Sequence, residues 1–343
     1  MKRKLCIIGF GVVGQGFAEL LLEKSNLLKE KYKLEAEVVA IYDKKFGGLL
    51  GEIDLHSALK AAGEKGSFAD LAGYREDLDP FKTIEESKAD VVIELTYTNI
   101  ETGEPACSYI KKALQMGKHV ITTNKGPIAL FYPELKEMAR SKEVKLKFEG
   151  TVLSGTPAIN FALKTLAGTK IERIRGIVNG TTNFILTEMG MGKSYEEALK
   201  KAQQLGYAEA VPDADVEGWD AMAKILILAN VIMESRLTKE QVERKGITGI
   251  SMEDIKKAKA EGKKWKLVAE CWRENSAVKA RVAPQLVGPD DFLFYVDGVT
   301  NALVFQTDTL SSVTVVGPGA GRRETGFSVL SDLIDIHLTG GEI

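Results

Sequence analysis

The chain has 343 residues, 44% of them hydrophobic and 27% charged, which suits a globular protein of two domains. Lys and Arg number 46 and Asp and Glu 48, and a net charge of −2 with no basic stripe excludes a nucleic-acid binder. Cys6, Cys107 and Cys271 lie far apart, as do His56, His119 and His337, so neither a disulfide framework nor a zinc site is expected; no apolar run nears the ~20 residues of a membrane span, and the chain reads as reduced and cytoplasmic, with no membrane partner.

Residues 2–10 (KRKLCIIGF) form a predicted strand and 12–24 (VVGQGFAELLLEK) an amphipathic helix. A second strand covers 36–43. The stretch 47–80, broken by Gly and Asp, is expected to mix loops with short helices. A buried strand at 89–96 (ADVVIELT) leads to a helix at 104–117, whose Pro105 suits a first turn. Strand 118–123, helix 131–142 and strand 145–150 complete the series. Apolar strands alternating with helices give βαβ units and a parallel sheet.

Beyond residue 150 the pattern changes. A strand at 171–180 ends in an Asn179-Gly180 turn, with a helix expected from Thr181. Helix 194–206 carries a capping box (Ser194, Glu197) and a terminal Gly206. Residues 215–234 read as one helix, and strands are expected at 276–287, 292–307 and 310–317. After the Gly-rich 317–321, a last helix at 325–338 returns to the first domain. The expected fold is α/β: a Rossmann-type doubly wound parallel sheet over 1–150, completed by 318–343, plus an α+β domain over 151–317.

GFGVVG places Gly9, Gly11 and Gly14 in a G-x-G-x-x-G pattern between a strand and a helix, with Val12 and Val13 in the same turn. Such glycines let the backbone approach a pyrophosphate seated on the helix N-terminus. Asp43 ends the next strand, where an acid binds ribose hydroxyls and favours NAD. Lys44 and Lys45 follow, and a cation there accepts the 2′-phosphate of NADP. Both cofactors stay open. Thr96 and Thr98 follow one strand, and Asn124 and Lys125 another. Ligands bind beyond the carboxyl ends of such strands, on the nicotinamide side here.

YAEAVPDADVEGWDAMAKILIL (207–228) gathers Glu209, Asp213, Asp215, Glu217 and Asp220 ahead of a single Lys224. Asp220 and Lys224 are four apart and share a face of a helix that turns fully apolar after Lys224. A buried ion pair is weak evidence of a stabilising role, so function explains it better. An ammonium there can stabilise charge on a carbonyl oxygen and donate its proton during hydride transfer. The acids suit a cationic amine, with Glu209 and Asp215 as contacts. VNGTTNFIL (178–186) adds a strand-to-helix turn whose N–H groups at Gly180 and Thr181 can bind a carboxylate. An amine pocket with a carboxylate pocket describes an α-amino acid.

GFGVVG, TTNKGPIA, GIVNGTTNFIL, YAEAVPDADVEGWDAMAKILIL and GPGAGRRETGFSVLSDLI together resemble homoserine dehydrogenase over essentially the whole chain. The resemblance implies NAD(P)-dependent interconversion of L-homoserine and L-aspartate 4-semialdehyde, towards threonine, methionine and isoleucine. It implies Lys224 as proton donor and Lys125 as a second lysine at the reaction centre that also contacts the cofactor. Glu209 matches the acid on the homoserine amine, Asp215 and Asp220 acids of the substrate pocket, and Tyr207, Gly180 and Thr181 lining positions. Val13, Thr96 and Gly321 match cofactor contacts. A monovalent cation such as sodium is implied at Glu149, Val152, Ser154 and Thr156, although Leu153 and Ser154 stand where the family favours glycine.

The resemblance also implies a homodimer that pairs sheets of the second domain through 310–317 and the strand near 170–178. With little chain after Gly321, no ACT or kinase domain and no inhibition by threonine through one are expected. Arg322-Arg323 stands near the expected cofactor cleft, either for NADP or simply solvated. Two other readings share parts of this pattern. Another amino-acid or semialdehyde dehydrogenase would lack the Asp220/Lys224 helix and the NGTTN turn. A non-enzymatic dinucleotide sensor would not need Lys224.

Overall fold

Short β-branched runs such as VVIE and VVAIYD, each tied to an amphipathic helix, dictate layered βα units. A computed structural model describes residues 2–339 and divides them into two units. One comprises residues up to 155 with those from 321 onward; the other is Thr156–Ala320.

In the first unit the elements run β1 (Lys2–Ile8), α1 (Val12–Glu23), α2 (Ser25–Tyr32), β2 (Glu35–Asp43), β3 (Gly47–Leu50), α3 (Leu55–Lys60), β4 (Tyr74–Arg75), α4 (Pro80–Glu86), β5 (Val91–Glu94), α5 (Ala106–Gln115), β6 (His119–Thr122), α6 (Lys125–Ser141) and β7 (Leu146–Lys147). The sheet order is β4-β3-β2-β1-β5-β6-β7. The strands from β2 to β7 in that order are parallel, and β3 and β4 add an antiparallel edge. Chain order reverses at β1, so the crevice for a ligand opens at the carboxyl ends of β1 and β5. In that layer Ile8 faces Glu94 and Glu94 faces Thr122. Leu5, Ile7, Phe10, Phe17, Ile41 and Ile93 fill the core beneath, joined by Val329, Leu333 and Ile336 of the C-terminal helix Arg322–Thr339. That helix lies close on α1: a Cβ on Gly16 would stand 2.3 Å from the Arg322 carbonyl oxygen.

Two expectations need correction here. Residues 47–80 contain the strands β3 and β4, hidden by glycines that read as breaks. Gly47 (φ 94°) makes the tight reversal, and a side chain on Gly48 would strike Leu78 at 2.6 Å. Helix α6 begins at Lys125, not at 131. Pro127 suits its first turn, where no N–H is needed, and Pro133 is tolerated inside although it forfeits a helix bond.

The second unit runs β8 (Ile171–Ile177), α7 (Gly180–Gly190), α8 (Tyr195–Gln204), α9 (Asp213–Val216), α10 (Trp219–Ile232), β9 (Glu243–Arg244), α11 (Met252–Ala260), β10 (Lys264–Glu274), β11 (Ala277–Val287), β12 (Thr300–Thr307) and β13 (Ser311–Pro318). Its sheet has the order β13-β12-β8-β10-β11-β9 and is antiparallel apart from β9 beside β11. Helix α10 packs on β10 and β11, and α7 on β10 and β12. The Ser194/Glu197 capping box is present at α8.

Sequence periodicity missed α11 and β10. In β10 the charged Lys266 and Glu270 are buried as deeply as their apolar neighbours, so alternation did not mark a face. Phe292–Tyr295 is a short 3-10 turn, and the strand starts only at Thr300. The helix expected over 215–234 is broken in two by Gly218 (φ 80°). Of the two strands expected to pair between subunits, β13 is an edge, but β8 lies between β12 and β10, so its backbone bonds are used.

Candidate active site

The residues expected to hold the cofactor lie in the first unit. Gly9 (φ 96°) turns the chain out of β1, and a Cβ there would meet the Leu95 carbonyl carbon at 2.6 Å. A Cβ on Gly14 would stand 2.4 Å from the Gly9 oxygen. Gly11, the N-cap of α1, has no side-chain cap, and a Cβ there would meet nothing within 4 Å. The start of α1 is open to solvent, with Gly11 and Val12 exposed and Val13 half-buried, and its first-turn N–H groups have no partner within the helix. A dinucleotide pyrophosphate fits this cradle.

Asp43 closes the cradle from β2. Its Oδ2 accepts from Phe10 N (2.8 Å) and its Oδ1 from Lys45 N (2.8 Å), while Lys44 points to solvent. Gly321 (φ 140°) precedes the C-terminal helix, and its carbonyl accepts from Thr325 Oγ1 (2.7 Å). Arg322 and Arg323 pair with Glu19 and Glu23 of α1, as half-exposed surface ion pairs.

Thr96 and Lys125 sit on neighbouring loops at the carboxyl edge. Lys125 is the first residue of α6, and Asn124 caps the helix by accepting from Gly126 N (3.3 Å). Asn124 Nδ2 donates to the carbonyls of Thr96 (3.3 Å) and Tyr97 (3.2 Å). Sequence reasoning missed Glu94, which lies beneath both loops and is fully buried. Glu149, Val152 and Ser154 are buried in this unit too; Ser154 Oγ shares a hydrogen bond with Thr325 Oγ1 (2.7 Å). Leu153 and Ser154 both adopt left-handed backbone (φ 53° and 54°). Thr156 belongs to the second unit, where its Oγ1 donates to the Pro318 carbonyl (2.9 Å).

The residues expected to bind substrate lie in the second unit. Lys224, only 8% exposed, donates from Nζ to the Val178 carbonyl (2.7 Å) and pairs with Asp220 Oδ2 (2.7 Å). Asn179 ties the cluster together. Its Nδ2 donates to Asp215 Oδ1 (2.7 Å) and Asp220 Oδ2 (2.9 Å), while its Oδ1 accepts from Thr182 N (2.9 Å) and caps α7. Helix α7 thus begins at Gly180, with Asn179 outside it. The N–H groups of Gly180 and Thr181 have no partner within the helix. Thr181 Oγ1 donates to the Tyr207 carbonyl (2.6 Å), and the Tyr207 ring packs edge-on against Phe184. Glu209 lies outside this cluster on an exposed loop, its carbonyl accepting from Gln203 Nε2 (3.1 Å).

Burial, and then the neighbouring Asp220 charge, push the Asp215 carboxyl above the usual carboxylate range. Folding therefore disfavours its ionised form. The stability linked to Asp215 is complete below the ordinary carboxylate pKa and is lost as pH rises through the raised value. Asp215→Asn should raise Tm at neutral pH and change it little in acid, as read by thermal unfolding at both. An equal gain at both pH values, or a loss at neutral pH, contradicts this origin.

A family model described as "Homoserine dehydrogenase" matches residues 157–334, and one described as "Homoserine dehydrogenase, NAD binding domain" matches residues 9–149. An NAD(+)-dependent homoserine dehydrogenase of Pseudomonas canavaninivorans is 43% identical over 337 residues, covering 97% of this chain and 96% of that protein. The chain belongs to the homoserine dehydrogenase family. The homoserine dehydrogenase of Methanocaldococcus jannaschii is 42% identical over 336 residues, 97% of this chain and 98% of that protein. Among solved structures, a hyperthermophilic archaeal homoserine dehydrogenase in complex with NADPH superposes with a TM-score of 0.86. It is 34% identical and covers 99% of this chain and 98% of that one.

The expected activity, NAD(P)-dependent oxidoreduction of homoserine, is that of the homoserine dehydrogenase family, and the α/β fold agrees with its members. A different semialdehyde dehydrogenase and a dinucleotide sensor are both disfavoured. Among the described residues no helix is long and apolar enough to cross a membrane, and no three His, Cys, Asp or Glu side chains gather as a metal site.

Proposed function

We propose that Lys224 is the group that protonates the substrate oxygen when L-aspartate 4-semialdehyde is reduced to L-homoserine, and that takes the proton back in the reverse direction. The observation that carries this is the nearly buried Nζ with two fixed partners, the Val178 carbonyl and Asp220. An ammonium has three donor directions. Two are occupied, and the third serves the oxygen on which charge develops. Bound NAD(P)H supplies the hydride.

Asp215 and Asp220, with Glu209 from its loop, take the substrate amine, and the Gly180 and Thr181 N–H groups take the carboxylate; Tyr207 lines the pocket. Asn179 acts at second hand, holding both aspartates at once. The second unit thus binds the amino acid, and Lys125, Thr96, Val13 and Gly321 of the first unit serve the cofactor. Analogues of L-homoserine lacking only the amine, or only the carboxylate, test this division. A site built for both groups rejects either analogue by ~10⁴-fold in kcat/KM. Loss with only one analogue removes the pocket assigned to the other group.

Three further assignments accompany this reading. Cofactor choice falls between NAD and NADP: Asp43 has both oxygens engaged by backbone N–H groups, while Lys44 is free to meet a 2′-phosphate. The ratio of kcat/KM for the two cofactors decides it. A sodium-like cation is assigned to carbonyl oxygens around Glu149, Val152 and Ser154 of the first unit. Support comes from the two consecutive left-handed residues, a strain of ~1–3 kcal/mol each that surroundings must hold in place. Rates unaffected by removing monovalent cations would remove it. A cytoplasmic homodimer is assigned through the edge strand β13, with Val316 exposed; a monomer in sedimentation would overturn this assignment.

A further inference from the structure

A buried carboxylate at a strand end costs free energy unless both its oxygens are satisfied by donors. Glu94 ends β5 at the layer where the crevice opens, with Ile8 of β1 and Thr122 of β6 on either side. Its side chain is fully buried, and burial raises its pKa. Oε1 accepts from the Thr96 backbone N–H (2.8 Å) and from the Thr96 hydroxyl. Oε2 accepts from Thr122 Oγ1 (2.8 Å). Thr122 Oγ1 in turn accepts from Asn124 N (3.0 Å), and Asn124 donates back to the carbonyls of Thr96 and Tyr97. The bonds close into a ring from Glu94 through Thr122 and Asn124 to Thr96. The next residue after Asn124 is Lys125.

We propose that Glu94 is a positioning residue: its carboxylate fixes the two loops that carry Thr96 and Lys125 in the geometry the nicotinamide end of the cofactor requires. This rests on the reading of the first unit as the cofactor half. Only a group that accepts at both ends satisfies every donor of the ring. With two acceptor oxygens, Glu94 makes donors of both threonine hydroxyls, so the lone pair of Thr122 Oγ1 faces Asn124 N. A glutamine has the same shape but presents an NH₂ at one end. With its oxygen kept on Thr96, its NH₂ must donate to Thr122 Oγ1, and the buried Thr122 hydroxyl proton then loses its acceptor. The same layer touches the glycine loop, since Leu95 N donates to the Ile8 carbonyl (2.7 Å) and Leu95 lies against Gly9.

The test is Glu94→Gln in the full chain, which strands the Thr122 proton, with Thr122→Val opening the ring outright. NAD and NADP affinities are measured by titration without substrate, and kcat and the KM for L-homoserine by steady-state kinetics. Glu94→Gln is expected to weaken cofactor binding and lower kcat by ~10-fold or more each, with the L-homoserine KM within about twofold of wild type. Thr122→Val should follow the same pattern, which covers the case of a Glu94→Gln protein that does not fold. Unchanged cofactor affinity and kcat in a folded variant overturns the proposal, as does an equal rise in the homoserine KM, which marks general loosening. A wild type that binds neither dinucleotide fails the underlying reading of the unit; a wild type that binds, beside variants that bind equally well, fails Glu94 alone.

Discussion

Lys224→Ala is expected to lower kcat for L-homoserine oxidation by ~10³–10⁴-fold while leaving the cofactor dissociation constant unchanged. The substitution removes the ammonium that pairs with Asp220 and leaves the Val178 carbonyl without its 2.7 Å donor. A buried acceptor left unpaired costs about 1–3 kcal/mol, so a lower Tm accompanies the loss of rate. Lys224→Met separates the two effects. It keeps most of the volume within α10, so a loss of kcat as deep as alanine's, with a smaller drop in Tm, assigns the rate to the charge. Full activity in either variant would sink the account of Lys224 while leaving the family intact.

Gly14→Ala and Gly11→Ala should fail in different ways. At Gly14 the added methyl meets the Gly9 carbonyl oxygen at 2.4 Å, and neither α1 nor the glycine loop can withdraw without disturbing the core around Phe10 and Phe17. Overpacking of this kind costs ~1–3 kcal/mol or more, so Tm falls and cofactor binding falls with it. At Gly11 the methyl enters open space and φ is −72°, which alanine adopts without strain. Gly11→Ala should therefore fold with the wild-type Tm, yet lose dinucleotide affinity by on the order of 10²-fold, because that space is where the pyrophosphate meets the backbone. Thermal unfolding and cofactor titration of the pair separate folding from binding. Normal cofactor affinity in Gly11→Ala would mean that the pyrophosphate does not lie against the α1 N-terminus.

What the sequence made legible was local. The glycine fingerprint, the Ser194/Glu197 box and the i, i+4 pair of Asp220 and Lys224 each draw on neighbours within a turn or two. What it concealed depends on partners far along the chain. Asn179 was legible as a turn residue, but its acceptors Asp215 and Asp220 lie 36 and 41 positions away. Glu94 drew no notice within the strand 89–96, because its partner Thr122 is 28 residues on. Strand β10 was overlooked because tertiary bonds bury its charges: Lys266 reaches Asn183 Oδ1 and Asp297, and Glu270 is held by Arg173 and Arg281. Charge in a sequence reads as surface until such partners are known. The edge strands β3 and β4 were lost to the opposite error, in which glycines that pair in a sheet were read as breaks.

The most direct measurement is the initial rate of NAD and NADP reduction by L-homoserine, with cofactor affinity titrated on the same preparation. Reduction of at least one cofactor, abolished in Lys224→Ala while that cofactor still binds, is the predicted result. A wild-type protein that binds cofactor tightly but reduces neither with L-homoserine, nor oxidises the reduced forms with L-aspartate 4-semialdehyde, would contradict the account.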